Sequence, residues 1–314
     1  MFKGLGFLPG GNTNSVANGV SADGSTVVGE SVVSQSCSGS SCVGIDEAFR
    51  WTARGGMTGL GVLPGDNSSN ANAISGDGST IVGYSQTLEE TAPFNISASQ
   101  PDVFRWTLGS GLIQLGPSPS QNGLSLDLAN AISADGSTIV GFGSNNSVGT
   151  EAVRWTAGGG MVGLGLVPGT DASGARGVSS DGSTVVGYSQ VVPSTGAVGF
   201  TGAQAFRWTA GGGMVGLGFL PGTTPSVANA VSTDGSTVVG FSGSQAFRWT
   251  ASRGMAGLGF LPGGSSSFAN GVSGNGLTVV GSTSLWLPNT QFAWKTLRFS
   301  ATTHRPLAPC ANEM

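Results

Sequence analysis

Five aspartates recur in one local setting, each directly before a glycine and beside short runs of Ser, Thr, Val or Ile. A ring of such carboxylates could bind a cation, but Asp-Gly between two apolar runs is a strong signal of a tight hairpin turn. The oxygen-ligand spacing of known calcium loops is absent. We therefore predict structural turn residues. They are Asp23, Asp77, Asp135, Asp181 and Asp234, with Asn275 in a sixth, altered copy.

A cation directly before a tryptophan is the second repeated feature. The cations are Arg50, Arg105, Arg154, Arg207 and Arg248, with Lys295 near the Trp of the sixth copy. A ring of guanidinium groups could bind an anionic glycan. The arginines could equally pair with the acid three residues earlier, as Glu47 with Arg50, or lie over aromatic rings. We favour a structural role. The tryptophans are predicted to be packing residues: Trp51, Trp106, Trp155, Trp208, Trp249 and Trp294.

No catalytic constellation is visible. His304 is the single histidine, which excludes an ordinary Ser-His-Asp triad or a multi-His metal site. Runs such as Gly158-Gly159-Gly160 do not join a strand to a helix, so they are turns and not phosphate loops. A glycosidase needs only two carboxylates, yet no pair stands out. We predict no catalytic residue, no metal and no cofactor, and hence not an enzyme.

The composition limits the kinds of partner and the compartments that are compatible with this chain. Charged residues make up 9% of the chain and the formal net charge is −4, so no basic patch is available for nucleic acid. No apolar run reaches the roughly 18 residues that span a bilayer, and the first residues lack the apolar core of a signal peptide. Cys37 and Cys42 bracket a Ser/Gly loop and could form a local disulfide in an oxidising compartment, or all three cysteines could be free thiols.

Repeats supply the elements that position these residues. The Asp-Gly anchors lie 41 to 58 residues apart, which indicates a fixed unit with loops of variable length. In the fifth copy the unit opens at Gly216-Leu217-Gly218 and closes at Phe247-Arg248-Trp249. We predict four strands per unit. They are the Gly-Leu-Gly opening up to Pro-Gly, the Ala-Asn-Ala segment, the Thr-Val-Val-Gly segment and the Phe-Arg-Trp segment.

Four short strands repeated six times predict an all-β fold, a β-propeller of six four-stranded blades. We expect one repeat domain over residues 1–297 and an irregular C-terminal tail over 298–314. Residues 2–10 lack a preceding Phe-Arg-Trp partner, and residues 291–295 lack a following strand. Pairing between them would close a ring; the alternative is an open fragment of a longer array.

The units resemble the HAF-repeat family of bacterial proteins. The resemblance covers roughly residues 2–295. It rests on the Leu-Gly…Pro-Gly opening, the Ala-Asn-Ala/Gly segment, the Asp-Gly turn with Val-Val-Gly after it, and the Ala-Phe-x-Trp close. It implies a probable extracellular repeat protein, sometimes an autotransporter passenger, with no established enzymatic activity. The histidine of the family signature is replaced here by Glu47, Asp102, Glu151, Gln204 and Gln245.

These features together predict a non-catalytic extracellular or surface repeat protein. Variable loops follow the Val-Val-Gly strand, the longest at residues 30–46, 86–102 and 190–203. Such loops would serve binding, adhesion or structure. The partner is unknown; a glycan or a protein at the cell surface is the expectation, without nucleic acid and without a membrane span. The alternative is a carbohydrate-active propeller enzyme with a carboxylate pair.

Overall fold

A computed structural model describes residues 4–11, 14–38, 41–92, 95–115, 124–145, 149–192, 200, 202–285 and 297–300. The chain divides into two compact units, Met1–Gly163 and Leu164–Met314. Each unit contains three antiparallel sheets, one for each sequence repeat. The predicted single repeat domain over 1–297 stays a prediction.

The first unit holds the sheets of repeats one to three, in which hydrogen-bonded neighbours follow chain order. A separate hairpin, β7 with β8, projects from the second sheet's long loop. The first sheet is β1 (Ser15–Val20), β2 (Thr26–Ser38), β3 (Ser41–Thr52) and β4 (Gly56–Gly59). The second is β5 (Ser68–Ile74), β6 (Thr80–Gln86), β9 (Asp102–Thr107) and β10 (Gly111–Gln114), with β7 (Leu88–Ala92) and β8 (Asn95–Ala98) inserted. The third is β11 (Leu128–Ile132), β12 (Thr138–Asn145), β13 (Gly149–Thr156) and β14 (Gly160–Gly163).

The second unit repeats this plan. Its sheets are β15 (Ala172–Val178), β16 (Thr184–Gln190), β17 (Gln204–Thr209) and β18 (Gly213–Gly216); β19 (Ser226–Val231), β20 (Thr237–Ser242), β21 (Gln245–Thr250) and β22 (Gly254–Gly257); and β23 (Gly264–Val272), β24 (Thr278–Leu285) and β25 (Leu297–Ser300). The predicted all-β class, built of four-stranded propeller blades, is confirmed. The sixth sheet has three strands among the described residues.

Blades pack through small and aromatic side chains. Phe49, Phe104, Phe206 and Phe247 are among the largest fully buried residues. Phe247 and Trp249 belong to one cluster, as the alternation of the Phe-Arg-Trp strand predicts. That cluster joins residues from successive blades, Val186 from the fourth and Val238 from the fifth. A blade therefore buries its apolar faces by packing against neighbouring blades of the same unit.

The glycine of the Val-Val-Gly strand allows the tightest approach in each blade. A Cβ added at Gly187 would lie 2.0 Å from the main-chain oxygen of Gly174. The facing strand β15 carries a bulge between Ala175 and Gly177. Every blade repeats this arrangement, and the equivalent glycines are Gly29, Gly83, Gly141, Gly240 and Gly281. A side chain cannot occupy this position while the bulged strand passes over it.

The strand predicted from the Gly-Leu-Gly opening up to Pro-Gly lies earlier in the chain than expected. The fourth strand of the blade is the short Gly-Met-x-Gly segment, as in β18, and it ends at Gly216. The residues up to Pro221-Gly222 form an irregular connection to the next blade. The reason is conformational, because Gly218 has φ of 78°, a left-handed conformation that breaks a strand ladder.

The expected boundary between the repeat domain and an irregular tail at residue 298 stays a prediction. Strand β25, Leu297–Ser300, crosses that boundary. It pairs Val280 with Arg298, the same register by which Val239 pairs with Arg248 in the fifth blade. Leu-Arg-Phe-Ser preserves the apolar–polar–apolar alternation of Phe-Arg-Trp-Thr, which explains the choice of register. The expected closing strand at 291–295, the expected pairing with the N-terminus and residues 301–314 lie outside the described residues.

Candidate functional site

Each blade has two chemically different edges. The Asp-Gly turn and the Gly-rich turn before the fourth strand lie at one end of the sheet, which we call the turn edge. The loop between the second and third strands lies at the other end, the loop edge. Two of the three longest predicted loops contain strands, since β2 and β3 extend into 30–46 and β7 and β8 lie within 86–102. Sequence variation between copies is therefore concentrated at the loop edge.

The turn-edge aspartates make one repeated set of local bonds. Asp234 Oδ1 accepts hydrogen bonds from the hydroxyl of Ser232 at 2.6 Å and the amide of Ser236 at 3.0 Å. Because these donors favour the ionised form, the pKa of Asp234 is lowered to about 2. The same serine bonds lower the pKa values of Asp23, Asp77, Asp135 and Asp181. Asn275 accepts the equivalent bonds in the sixth blade.

The arginines before tryptophan also make repeated contacts. A terminal guanidinium nitrogen donates to a threonine hydroxyl of the neighbouring strand, at 3.2 Å from Arg207 to Thr184 and 3.5 Å from Arg50 to Thr26. Glu47 is not the partner of Arg50, since its carboxylate accepts from the amide of Gly61 at 2.9 Å. Arg207 and Arg248 also donate from Nε to the carbonyl of the glycine in the next blade's Asp-Gly or Asn-Gly turn.

The tryptophans lie at the margins of the cores. Trp106, Trp155 and Trp249 pack against core clusters while remaining half-buried. Trp51 and Trp208 are half-buried as well, and Trp294 lies outside the described residues. In contrast, the phenylalanine two positions earlier in each full Phe-Arg-Trp motif is fully buried.

A row of aromatic rings lies toward the loop edge in the second unit. Tyr188, Phe200, Phe241 and Phe268 meet edge to face, with centroids 4.9, 6.2 and 5.2 Å apart along the series. All four rings are half-buried. Phe200 comes from the variable loop of the fourth blade, whereas the other three come from framework strands. We call these four residues the aromatic row.

Arg176 completes the aromatic row. Its guanidinium carbon lies 5.0 Å from the ring centroid of Phe200 and 5.4 Å from that of Tyr188. Nη1 donates to Oδ1 of Asn229 at 2.9 Å. Burial lowers the pKa of Arg176 from its ordinary value. The guanidinium is thus held in one orientation beside half-exposed rings.

The first unit carries a polar cluster at an equivalent position. Glu30 stands where copies two to five have an aromatic residue after Val-Val-Gly or Ile-Val-Gly. Asn18 Nδ2 donates to its carboxylate at 2.8 Å and to Oδ1 of Asn70 at 3.2 Å. Burial raises the pKa of Glu30, and the charge of Asp46 adds to the effect. Burial also raises the pKa values of Asp46 and Tyr84.

Neither loop-edge group was predicted from sequence. The signal was present, because the position after Val-Val-Gly changes from Glu30 to Tyr84, Phe142, Tyr188 and Phe241 while its neighbours stay constant. Arg176 likewise interrupts the Asn of the Ala-Asn-Ala segment. What could not be inferred is that residues on four strands and a loop meet in the aromatic row with Arg176. Across the described ranges, no group of three His, Cys, Asp or Glu residues is placed to hold a metal ion, and no helix there is long and apolar enough to cross a membrane.

Comparison with known proteins gives likeness of structure only. No family model and no curated protein matches the chain. TolB from Acinetobacter baumannii matches with a TM-score of 0.44 at 16% identity, over 81% of this chain and 57% of that one. A putative TolB from Agrobacterium tumefaciens matches with a TM-score of 0.44 at 14% identity, over 93% of this chain and 84% of that one. A chain of a nidogen/laminin complex matches with a TM-score of 0.43 at 10% identity, over 90% of this chain and 92% of that one.

Proposed function

We propose that this chain is a non-catalytic repeat protein that binds glycans at the loop edge of its blades. The observation that carries the proposal is the aromatic row with Arg176 fixed beside it. Half-exposed rings present an apolar face on which a sugar ring can stack, and they lose little conformational freedom on binding. A held guanidinium adds directional hydrogen-bond donors for sugar oxygens.

The division between the two edges supports this proposal. Hydrogen bonds of the same kind recur at the turn edge of every blade, which makes that edge a framework. The loop edge differs from blade to blade in loop length and in the chemistry of the residue after Val-Val-Gly. Binding residues are commonly placed on variable loops that a rigid scaffold positions.

Placement outside the cell forms part of the proposal. The resemblance to HAF-repeat proteins motivates it, as does the pairing of β2 with β3. The strand register sets Cys37 opposite Cys42, and we propose that the two cysteines form a disulfide. An oxidising compartment would allow that bond to persist.

A glycan microarray tests the proposal. The wild-type chain is compared with Phe200→Ser, which removes the loop-derived ring, and with Val191→Ser, a control in the same interstrand connection whose side chain is 47% exposed. We expect the wild type and V191S to bind the same subset of glycans and F200S to bind them at least about fivefold more weakly, since each stacked ring contributes on the order of 1 kcal/mol or more. An empty array, or equal binding by F200S, contradicts the proposal.

One observation favours a second candidate, a carbohydrate-active enzyme. Glu30 and Asp46 are two half-buried carboxylates on adjacent strands of the first blade. Burial raises the pKa of Glu30, and the charge of Asp46 raises it further. A raised pKa suits a general acid that works beside a second carboxylate. Release of reducing sugar from a glycan library that is abolished in both Glu30→Gln and Asp46→Asn would favour the enzyme. Absence of turnover with bound glycans favours the binding protein.

A further inference from the structure

We propose that the first two blades form a separate site for a carboxylated sugar, at the turn edge. A cleft of about 390 Å³ opens there, within the ~300–1,000 Å³ range of small-molecule sites. Its lining includes Arg50 from the first blade and Arg105, Trp106, Ser79 and Thr107 from the second. The cleft is formed by turn-edge residues of the first unit. The glycan-binding proposal concerns loop-edge residues, so neither proposal depends on the other.

Two cations without acidic partners define the chemistry of the cleft. Arg105 donates from Nη2 to the hydroxyl of Thr80 at 3.3 Å, and Thr80 itself lines the cleft. Arg50 donates from Nη2 to Thr26 at 3.5 Å. No ion pair involves either arginine among the described residues. No Asp or Glu is found among the described residues that line the cleft. The donors of a guanidinium group without an acidic partner match the geometry of a carboxylate.

The repeat supplies an internal comparison. In the fifth and sixth turns, the main-chain oxygens of Gly235 and Gly276 accept from Nε of Arg207 and Arg248, at 3.2 and 3.3 Å. In the part of the chain that the structure describes, Arg50 and Arg105 make no such bond. The Nε–H donors are thus available where the cleft opens and satisfied at these two later positions. We therefore assign a binding role to Arg50 and Arg105 and a structural role to Arg207 and Arg248.

The neighbouring acid does not cancel the two cations. Asp77 is next to the lining residue Gly78, but its Oδ1 accepts from Ser75 and from the amide of Ser79, and its Oδ2 accepts from the hydroxyl of Ser79 at 2.9 Å. These bonds direct its carboxylate into the turn. The other polar groups of the lining are the hydroxyls of Ser79, Thr80 and Thr107, and the half-buried indole of Trp106 and the side chain of Leu108 add apolar surface. Hydroxyls and an indole beside two arginines favour a sugar acid over a bare inorganic anion.

The test is calorimetric titration of the whole chain with D-glucuronate and D-galacturonate, against D-glucose and acetate. We expect at least one uronate to bind, with glucose and acetate at least about tenfold weaker, because the first lacks the charge and the second lacks the ring. Arg50→Gln and Arg105→Gln should each weaken uronate binding at least about tenfold. Arg248→Gln, at the same repeat position, should leave it unchanged.

Several outcomes overturn the proposal. They are no uronate binding, acetate binding equal to uronate binding, or uronate binding unchanged in the R50Q/R105Q double variant. Because a variant could lose binding through misfolding, thermal denaturation accompanies each titration, and Arg50→Lys is included. Lysine retains the positive charge but lacks the planar, bidentate donors of a guanidinium group, so R50K should fold as the wild type and bind uronate more weakly. A failure here leaves the array experiment at the loop edge unaffected, and the reverse also holds.

Discussion

The hydroxyl of Ser232 donates a 2.6 Å hydrogen bond to Oδ1 of Asp234, two residues further along the chain. The same hydroxyl oxygen accepts from the amide of Thr237 at 3.0 Å. One serine therefore ties the aspartate to the start of the next strand. The sequence Ser-x-Asp-Gly-Ser-Thr specifies the turn because each polar atom has a partner within the motif.

Stability is expected to fall in acid because of these turns. The pKa of Asp234 in the folded chain is about 2, below its ordinary value of 3.8, and that of Asp23 is also about 2. A lowered folded pKa gives stability that is present above the unfolded pKa and lost as pH falls through the folded one. We expect unfolding midpoints to drop between about pH 4 and pH 2.

The Asp23→Asn/Asp234→Asn variant tests the origin of that acid loss. Asparagine retains the acceptor, as Asn275 does in the sixth blade, but it does not titrate. The variant should lose less stability than the wild type between those pH values. Glu89→Gln, at an exposed side chain, is the control and should follow the wild type. An acid transition of equal size in the double variant would contradict the assignment.

Gly187→Ala is expected to destabilise the fourth blade. The added methyl would lie 2.0 Å from the main-chain oxygen of Gly174, so a bulged strand must move, at a cost of about 1–3 kcal/mol or more. Gly211→Ala is the control, since its methyl would meet nothing within 4 Å. Chemical denaturation measures both. Equal stabilities would show that the close approach is not a constraint.

Phe206→Ala should cost far more than a substitution on the same blade's surface. Phe206 is 0% exposed, and truncation of a buried Phe to Ala costs about 3–5 kcal/mol. Val215, on the adjacent strand, is 56% exposed, and Val215→Ala should change the free energy of unfolding by less than about 0.5 kcal/mol. Similar losses in the two variants would place the blade core elsewhere.

Glu30→Gln should stabilise the chain at neutral pH. Burial raises the folded pKa of Glu30 above its ordinary value of 4.5, so the ionised carboxylate is disfavoured in the fold. Stability linked to this group is present below the unfolded pKa and lost as pH rises through the folded pKa. The advantage of E30Q should therefore shrink as pH falls toward about 4. If the stability of E30Q relative to the wild type were lower at pH 7 than at pH 4, the predicted effect of burial on Glu30 would be contradicted.

The sequence predicted the blade better than its boundaries. Asp-Gly turns and Thr-Val-Val strands were identifiable because their signals are local. The fourth strand was misplaced because the left-handed φ of Gly218 ends the ladder, and a glycine in sequence does not state its φ. The strand at 297–300 was missed because Leu-Arg-Phe-Ser replaces Phe-Arg-Trp-Thr after a longer spacing.

The candidate sites were less predictable than the fold. Arg207 and Arg50 occupy identical sequence settings, yet Arg207 donates from Nε to the carbonyl of Gly235 and Arg50 donates only to Thr26 among the described residues. That difference depends on contacts between blades, which a repeated local sequence does not specify. The meeting of Arg176 with Phe200 depends on the path of a loop, which local patterns do not specify.

Hydrogen–deuterium exchange of the whole chain, with and without a glycan that is positive on the array, tests the proposed binding edge most directly. We predict slower exchange on binding in peptides that contain Tyr188, Phe200 or Phe241, with the Asp-Gly turns unchanged. Protection confined to those turns, with none in the peptides of the aromatic row, would contradict it.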